Sequence, residues 1–317
     1  MRLWLSTVST AMASCLMLGV GACHRAEMSK PLIVIIVPSQ DNPFFKSEAD
    51  AAAKRAQELG YRVRVDAHDD DAYRQDNLID AAIASNAAAI ILDNAGADSS
   101  IAAVRRATRA GIPCFLIDRE IEANGIAKAQ IIADNHQGAQ IVAEEFARAI
   151  GPAGGDYAEL LGRESDTNAQ VRTAAFHATL DKQANLHRVA AQSANWSQAE
   201  AFQKTETMLQ AHSSIRGIIA GNDTMALGAT AAVKSSGVSG IVITGLDGSP
   251  DAIAAIRSGT LRATSLQPAV FISRLAVDEA DLYLHKGSTG KPERQIVPCD
   301  LVTRENADQY EDFEKVR

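Results

Sequence analysis

The sequence has little of several residue types that mark specialised proteins. It contains 4 cysteines in 317 residues, and aromatic residues make up only 5%. No CxxC motif or paired Cys/His spacing is present, so the sequence indicates no metal site. A GxSxG motif and a glycine-rich cofactor loop are also absent, which argues against the common hydrolases and nucleotide-dependent enzymes. We therefore expect no metal, no cofactor and no enzymatic activity.

Positive charge is in deficit. Lys and Arg number 31 against 39 Asp and Glu, which gives a formal net charge of -8, and the two signs are mixed along the chain. This balance argues against nucleic acid or an anionic membrane surface as the main partner. The apolar content of 46% and charged content of 22% are ordinary for a soluble globular protein, and the length allows two domains.

Long uncharged apolar stretches are missing except at the start of the chain. Met1-Arg2 provides a positive start, and residues 3–22 are uncharged and rich in Leu, Ala, Val and Met, which is typical of a secretory signal peptide. A transmembrane anchor is the alternative, since the stretch is near the lower length limit for a span. Its many Ser, Thr and Gly residues favour the signal peptide. We predict that residues 1–22 are a signal peptide and that residues 23–30 form a polar tether.

Two cysteines fall in the body of the chain. Cys114 lies inside an apolar run, and Cys299 lies in a second strand-like segment far away in sequence. A disulfide between them is an alternative in an oxidising compartment. Two buried thiols are the better interpretation, because both settings are those of core strands.

Short apolar runs, each followed by polar side chains, recur along the chain. Each run predicts a buried strand, and a helical pattern follows most of them. Strands that alternate with helices predict parallel sheets, in which ligands bind at the carboxyl ends of the strands. The predicted site therefore collects amides, carboxylates and guanidiniums, which suit a hydroxyl-rich small molecule. The polar residues that follow the runs include Asn42, Asp93, Asp118, Arg119, Asn135, Asn222 and Asp247.

The strand and helix patterns form two series. One runs from residue 31 to 133 and the second from residue 135 to 266, followed by a helix over Ala269–His285 and a last strand over Ile296–Val302. Two such series predict two α/β lobes with a cleft between them. The acidic run from His68 to Asp71 could hold a metal, but a solvated loop that caps the next helix is the favoured interpretation.

A set of short motifs, all in one order, resembles the ribose-binding-protein branch of the bacterial periplasmic binding proteins. Each motif alone is weak, but the ordered set is specific and covers residues 31 to 303. The matching segments are Asp41-Asn42-Pro43-Phe44-Phe45, Ile117-Asp118-Arg119, Ala133-Asp134-Asn135, Asn168-Ala169-Gln170-Val171-Arg172, Gly221-Asn222-Asp223-Thr224-Met225-Ala226-Leu227-Gly228, Gly245-Leu246-Asp247-Gly248 and Leu266-Gln267-Pro268.

The resemblance implies the type I fold of these proteins: two doubly wound parallel-sheet lobes, joined by a hinge of three crossings, with the ligand in the cleft. The N-terminal lobe would comprise residues 31–134 plus 268–299. The C-terminal lobe would comprise residues 135–267 plus 300–317. By analogy the crossings fall near Asp134, near Gln267 and near Cys299.

The resemblance also implies a function. The protein would be the substrate-binding protein of an ABC sugar importer in the periplasm, and it would hand its ligand to a permease and an ATPase. A sugar sensor that presents its ligand to a chemoreceptor or sensor kinase is the alternative. The segment Val20-Gly21-Ala22-Cys23 resembles the end of a lipoprotein signal, so Cys23 would carry a lipid that provides the only membrane contact. We expect a monomer that binds no nucleic acid.

The expected ligand is a neutral monosaccharide or polyol, bound by aromatic walls and polar side chains. Phe45 and Trp196 would cover the apolar faces of a sugar ring, and Phe44 either shares this role or packs in the core. Carboxylates, guanidiniums and amides would exchange hydrogen bonds with the hydroxyls. These ligand-binding residues are predicted to be Asn42, Asp93, Asp118, Arg119, Asn135, Arg172, Asn222, Asp247 and Gln267.

Charge balance and two departures from the ribose type bear on the ligand. Asp118 and Asp247 balance two arginines, which suits a neutral ligand. Pro38 stands where the ribose type has a small hydroxyl residue, and Asp93 stands where it has an amide. If Asp93 points inward, it could accept from an extra hydroxyl or an amine; if it points outward, it caps the next segment. Ribose, another pentose, an alditol, a cyclitol and an amino-cyclitol stay open.

Overall fold

The computed structural model of the protein describes residues 30–316. The predicted signal peptide, Cys23 and most of the tether lie outside the described residues. Within residues 30–316, no helix is long and apolar enough to cross a membrane.

The strand and helix series predicted from the sequence form two lobes. In the first series, strands alternate with helices: β1–β5 are Leu32–Val37, Arg62–Ala67, Ala89–Leu92, Cys114–Ile117 and Ala129–Ala133, and α1–α3 are Pro43–Glu58, Ala72–Ala84 and Ile101–Arg109. In the second series, β6–β10 are Gly155–Leu161, Leu186–Ser193, Ile215–Ala220, Val242–Thr244 and Thr264–Leu266, and α4–α8 are Asn135–Ile150, Thr167–Leu180, Gln198–Ala211, Asp223–Ser235 and Pro250–Ser258. The last elements are α9 (Ala269–Lys286), β11 (Arg294–Val297), β12 (Asp300–Val302), a 3-10 turn (Ala307–Gln309), β13 (Tyr310–Glu311) and β14 (Glu314–Lys315).

Each lobe is built on a parallel sheet. The sheet of the first lobe has six strands in the order β11-β5-β4-β3-β1-β2, and that of the second lobe has four in the order β7-β6-β8-β9. Every strand pair within these two sheets is parallel. Strand β10 continues the second sheet through bridges to the β9 segment and pairs antiparallel with β12. The predicted fold of two α/β lobes with parallel sheets is confirmed.

The first sheet is buried on both faces, as a parallel sheet must be. Residues Ile33–Val37 of β1 are fully inaccessible. On one side α1 lies close to the sheet because its inner face carries the small residues Ala49, Ala52 and Ala56 at helical spacing. Helix α9 covers the same face with Ile272, Ala276, Val277 and Ala280.

The chain passes between the lobes three times. Helix α4 packs on Tyr157 in the second lobe, whereas α9, which follows β10, packs on Phe115 in the first. The crossings lie between Ala133 and Asn135, between Leu266 and Ala269, and between Val297 and Asp300.

The prediction of one last strand over Ile296–Val302 is wrong. The segment is divided at Pro298-Cys299, and its halves β11 and β12 belong to different sheets. Proline has no backbone N–H to donate, so it is poorly suited to a strand interior.

The edge strand β7 was not predicted because most of its side chains are exposed or half-buried, which removes the apolar pattern. Helix α8 was also missed, although Ser249, Pro250 and Gly259 mark its two ends.

The interpretation of the two cysteines is confirmed. Cys114 and Cys299 are both free and buried. Burial raises the pKa of each thiol to about 12.

The acidic run before α2 divides into two kinds of residue. As predicted, Asp71 caps α2 by accepting hydrogen bonds from two backbone N–H groups. The expectation of a solvated loop is wrong for His68, which is fully buried, and burial lowers its pKa to about 4. Asp70 is half-buried and pairs with arginines of both lobes, as described below. Within residues 30–316, no group of three or more acidic, His or Cys side chains could hold a metal ion.

Candidate functional site

A cavity lies between the lobes, at the carboxyl ends of their strands. The space among its lining residues, together with the solvent space at its opening, is about 250 Å³. The structure brings the predicted site residues together here, with the exceptions of Asp93 and Asn135. The lining residues are Asn42, Phe44, Phe45, Asp118, Arg119, Asp166, Asn168, Arg172, Trp196, Asn222, Asp247 and Gln267.

Helix starts place several of these side chains. Asn42 caps α1 by accepting from the N–H of Phe44 at 3.0 Å, and Asn222 caps α7 by accepting from the N–H of Met225 at 2.9 Å. Asn is common at this position, where its side chain satisfies an N–H group of the first helical turn. The structure shows that one residue can line the cavity and cap a helix, because a cap uses one of its hydrogen-bonding groups.

Arg119 is enclosed by carboxylates. Its Nε lies 2.9 Å from Asp166 Oδ2, and its Nη1 lies 2.8 Å from Asp70 Oδ1. Its Nε is also 3.5 Å from Asp93 and 3.9 Å from Asp118. The guanidinium lies over the Phe45 ring, 4.9 Å from the centroid. Although burial opposes the charge, these carboxylates hold the pKa of Arg119 well above its usual value.

Asp93 does not line the cavity. It is fully buried behind Arg119, so it neither points into the cleft nor caps the next segment. Among the described residues, neither of its carboxylate oxygens has a hydrogen-bond partner. Burial is the largest cause that raises the pKa of Asp93 well above its ordinary value, and the nearby Asp118 and Asp166 act in the same direction.

Arg172 has a different environment. Its Nε donates to Asn135 Oδ1 at 2.7 Å, and its Nη1 donates to the carbonyl of Gly221 at 2.9 Å. The one carboxylate within 4 Å among the described residues is Asp247, at 3.5 Å. The guanidinium lies over the Trp196 ring, 5.3 Å from the centroid. Asn135, which was predicted to touch the ligand, is not among the residues that line the cavity; it accepts the hydrogen bond from Arg172.

The two carboxylates predicted to balance the arginines are both buried. Asp118 accepts from Asn168 Nδ2 at 3.1 Å, and Asp247 accepts from Gln267 Nε2 at 2.8 Å. Burial raises the pKa of Asp118 to about 6 and that of Asp247 well above its ordinary value. Asp118 has a φ of 56°, a strained conformation for a residue with a side chain, and such strain is concentrated at functional sites.

Trp196 is held by a hydrogen bond and by two glycines. Its Nε1 donates to Asp166 Oδ2 at 3.0 Å. A Cβ at Gly162 would collide with the indole ring, and one at Gly221 would lie 3.0 Å from it. The missing side chains at these positions therefore make the space that the ring occupies.

Asp166 and Asn168 were not predicted as site residues. Asp166 pairs with Arg119, accepts from the indole and caps α5 through the N–H of Asn168. Asn168 accepts from Asn135 at 3.0 Å and donates to Asp118. Asn168 is the first residue of one of the matching motifs, and this position could have identified it as a site residue. The role of Asp166 depends on its contacts with Arg119 and Trp196, which are distant in sequence, and local sequence does not encode such contacts.

Comparison with known proteins agrees with this architecture. Residues 33–288 match the family described as periplasmic binding protein domain. The chain belongs to this family. It is 54% identical to a D-apiose import binding protein of Paraburkholderia graminis, over 89% of this chain and 90% of the relative. It is 49% identical to a D-apiose import binding protein of Actinobacillus succinogenes, over 95% of this chain and 97% of the relative.

A solved structure has the same fold. The solute-binding protein of an ABC transporter from Actinobacillus succinogenes, with bound D-allose, superposes with a TM-score of 0.83 at 29% identity. The match covers 89% of this chain and 100% of that chain. The resemblance to periplasmic sugar-binding proteins that the ordered motifs indicated is confirmed.

Proposed function

We propose that this substrate-binding protein of an ABC sugar importer captures D-apiose, a branched pentose, in the cavity between its lobes. The observation that carries the proposal is the cavity itself, in which three aromatic rings and paired polar groups enclose a small space. Two relatives at 54% and 49% identity are D-apiose import binding proteins, and they support the choice of sugar.

The lining chemistry suits a neutral sugar. Arg172 can donate to ligand oxygens, while Asp247 and Asp118 can accept from hydroxyls. Phe45 and Trp196 can cover the apolar C–H faces of the ring and exclude water. A sugar that lacks one matching hydroxyl would leave a buried polar group unpaired, which costs about 1–3 kcal/mol.

Closure of the lobes completes the site. Contacts already join them across the cleft: Arg119 with Asp166 at 2.9 Å, and Asp70 with Arg163 at 3.2 Å. We take the lobes to comprise residues 31–134 plus 268–299 and residues 135–267 plus 300–317. A ligand that touches both lobes binds the closed form better than the open form, so it shifts the population toward closure.

The mature protein would be held at the membrane by its N-terminus. The sequence pattern supports removal of residues 1–22, a lipid on Cys23 and a tether over residues 23–30. The protein would work as a monomer in the periplasm and present its closed form to the permease and ATPase.

A thermal-shift screen of residues 24–317, followed by calorimetry, tests the choice of sugar. The panel is D-apiose, D-ribose, D-allose, an alditol and myo-inositol. A ligand that binds only the folded state raises the unfolding midpoint by mass action, and we expect the largest shift with D-apiose. A larger shift with another sugar would overturn D-apiose as the ligand, and no shift with any of them would overturn sugar capture.

A further inference from the structure

The last described strands, β13 and β14, form a hairpin with a strained turn. Strands β13 and β14 pair Tyr310 with Lys315 and Glu311 with Glu314. The two residues between the strands, Asp312 and Phe313, have φ values of 46° and 60°. Tight hairpin turns need such values and usually take Asn or Gly there. Phenylalanine in this conformation persists only where its surroundings hold it.

The side chain of Phe313 provides the compensating contact. It is only 2% exposed and packs edge-on against Phe44, with ring centroids 5.5 Å apart and an interplanar angle of 84°. Phe44, Phe45, Ala269 and Phe313 form one apolar cluster, separate from the main cores of the lobes. The strained turn therefore serves to place one aromatic ring against α1.

This contact joins the two lobes. The hairpin is anchored in the second lobe, because Tyr310 packs in the core that contains Ile253 and Leu261. Phe44 and Phe45 belong to α1 of the first lobe. Ala269 begins α9, directly after the second crossing. Phe313 thus reaches from one lobe to the other beside the segments that connect them.

The cluster continues into the cavity. The ring of Phe44 packs edge-on against that of Phe45 at 5.7 Å, and both side chains line the cavity. Arg119 lies over the Phe45 ring. Phe313 itself does not line the cavity, so it can act on a ligand only through these neighbours.

We propose that Phe313 is a positioning residue for sugar capture: it packs on Phe44 when the lobes close, holds the aromatic wall of the cavity and slows reopening. The inference rests on the proposed function for its ligand, but the contact between the lobes is independent of which sugar binds.

Dissociation kinetics of D-apiose from Phe313→Ala, Phe313→Leu and Phe271→Ala test this role. Phe271 is a matched control, since it is an aromatic residue of α9 that is 52% exposed. Because edge-to-face pairs add modest energies, we expect Phe313→Ala to speed dissociation about tenfold with an unchanged association rate. Phe313→Leu should give a smaller increase because it keeps apolar contact, and Phe271→Ala should give none.

A wild-type protein that fails to bind D-apiose would refute the proposed sugar, not the role of Phe313. Fluorescence energy transfer between one label in each lobe then reports closure without any sugar, and Phe313→Ala should lower the closed fraction. If Phe313→Ala lowers the unfolding midpoint but leaves both dissociation and closure as in the wild type, Phe313 is only a stabilising residue and the proposal is wrong. Phe313→Leu keeps the test available if the alanine variant does not fold.

Discussion

The two arginines of the cavity look alike and differ in their partners. Both are buried, with exposures of 2% and 3%, and both lie over an aromatic ring. Within the described part of the chain, Arg119 has four carboxylates within 4 Å, whereas Arg172 has one, at 3.5 Å, and otherwise bonds to neutral oxygens. The charge of Arg119 is therefore compensated by several carboxylates of the described residues, whereas that of Arg172 faces only Asp247 among them.

The partners also come from different parts of the chain. Arg172 contacts Asn135, Gly221 and Asp247, all on the side of the second lobe. The ion pair of Arg119 with Asp166 joins the two lobes. We therefore propose that Arg172 acts mainly in ligand recognition and Arg119 mainly in closure of the cleft.

Removal of the charge of Arg119 should have the largest effect on stability. Arg119→Met keeps the length of the side chain but leaves several buried carboxylates without their cation, so we expect the free energy of unfolding to fall by about 3–5 kcal/mol. Urea unfolding measures this loss. Arg106→Met is the control, because the ion pairs of Arg106 are partly exposed and such pairs contribute about 0–1 kcal/mol. Equal losses in the two variants would contradict the enclosed role of Arg119.

Arg172→Ala should have the largest effect on sugar affinity. Truncation of a buried charged hydrogen-bonding group costs about 2–5 kcal/mol of binding, which is about 30-fold or more in Kd. Calorimetry with the sugar that binds the wild type gives the value. Arg188→Ala in the same lobe, where Arg188 pairs with Glu159, should leave affinity unchanged. Wild-type affinity in Arg172→Ala would remove this residue from the site.

The Trp196 ring, which lies over Arg172, can be displaced by a substitution at a neighbouring residue. In Gly162→Ala, the added methyl group would displace the Trp196 ring, and overpacking of this kind costs about 1–3 kcal/mol. We expect affinity to fall about two- to tenfold if half of that cost acts on the bound state. Gly217→Ala is a matched overpacking control in the same lobe, since its methyl group meets Phe146 instead. It should lower stability and leave affinity unchanged; a similar fall in affinity in both variants would exclude a specific role for Trp196.

The ion pairs of Asp70 allow a further test of closure, with a smaller expected effect on affinity. Asp70 pairs with Arg119 and, across the cleft, with Arg163 at 3.2 Å. A double-mutant cycle of Asp70→Asn and Arg163→Gln should show a coupling of about 0.5–1 kcal/mol in sugar affinity, because the pair is partly exposed. The pair of Asp80 and Arg106 lies within one lobe, so the same cycle there should show no coupling.

Much of the fold and many residues of the cavity could be predicted from the sequence, because both depend on local sequence patterns. Apolar runs that end in polar residues predicted the strands and located Asp118, Asn222 and Asp247 at their carboxyl ends. The sequence could not show which of these groups face each other. Asp166 and Asp70 act through contacts between lobes, and Phe313 acts from a two-residue turn without apolar periodicity. Asp93 follows its strand as its neighbours do, yet an arginine separates it from the cavity.

Asp93 gives the smallest predicted effect, and it is specific to pH. Because burial raises its pKa, the folded protein keeps a proton on Asp93 at pH values where the unfolded chain has lost it. The contribution of this group to stability is therefore fully present below the ordinary pKa of about 4 and is lost as pH rises through the folded pKa.

Asp93→Asn is neutral throughout, so the free energy of unfolding should fall less between pH 4 and pH 8 than in the wild type. Urea unfolding across this range measures the slope, with Asp98→Asn, an exposed position nearby, as the control. An unaltered slope in Asp93→Asn would mean that Asp93 is ionised in the folded protein over this pH range, and that Arg119, 3.5 Å away, compensates its charge.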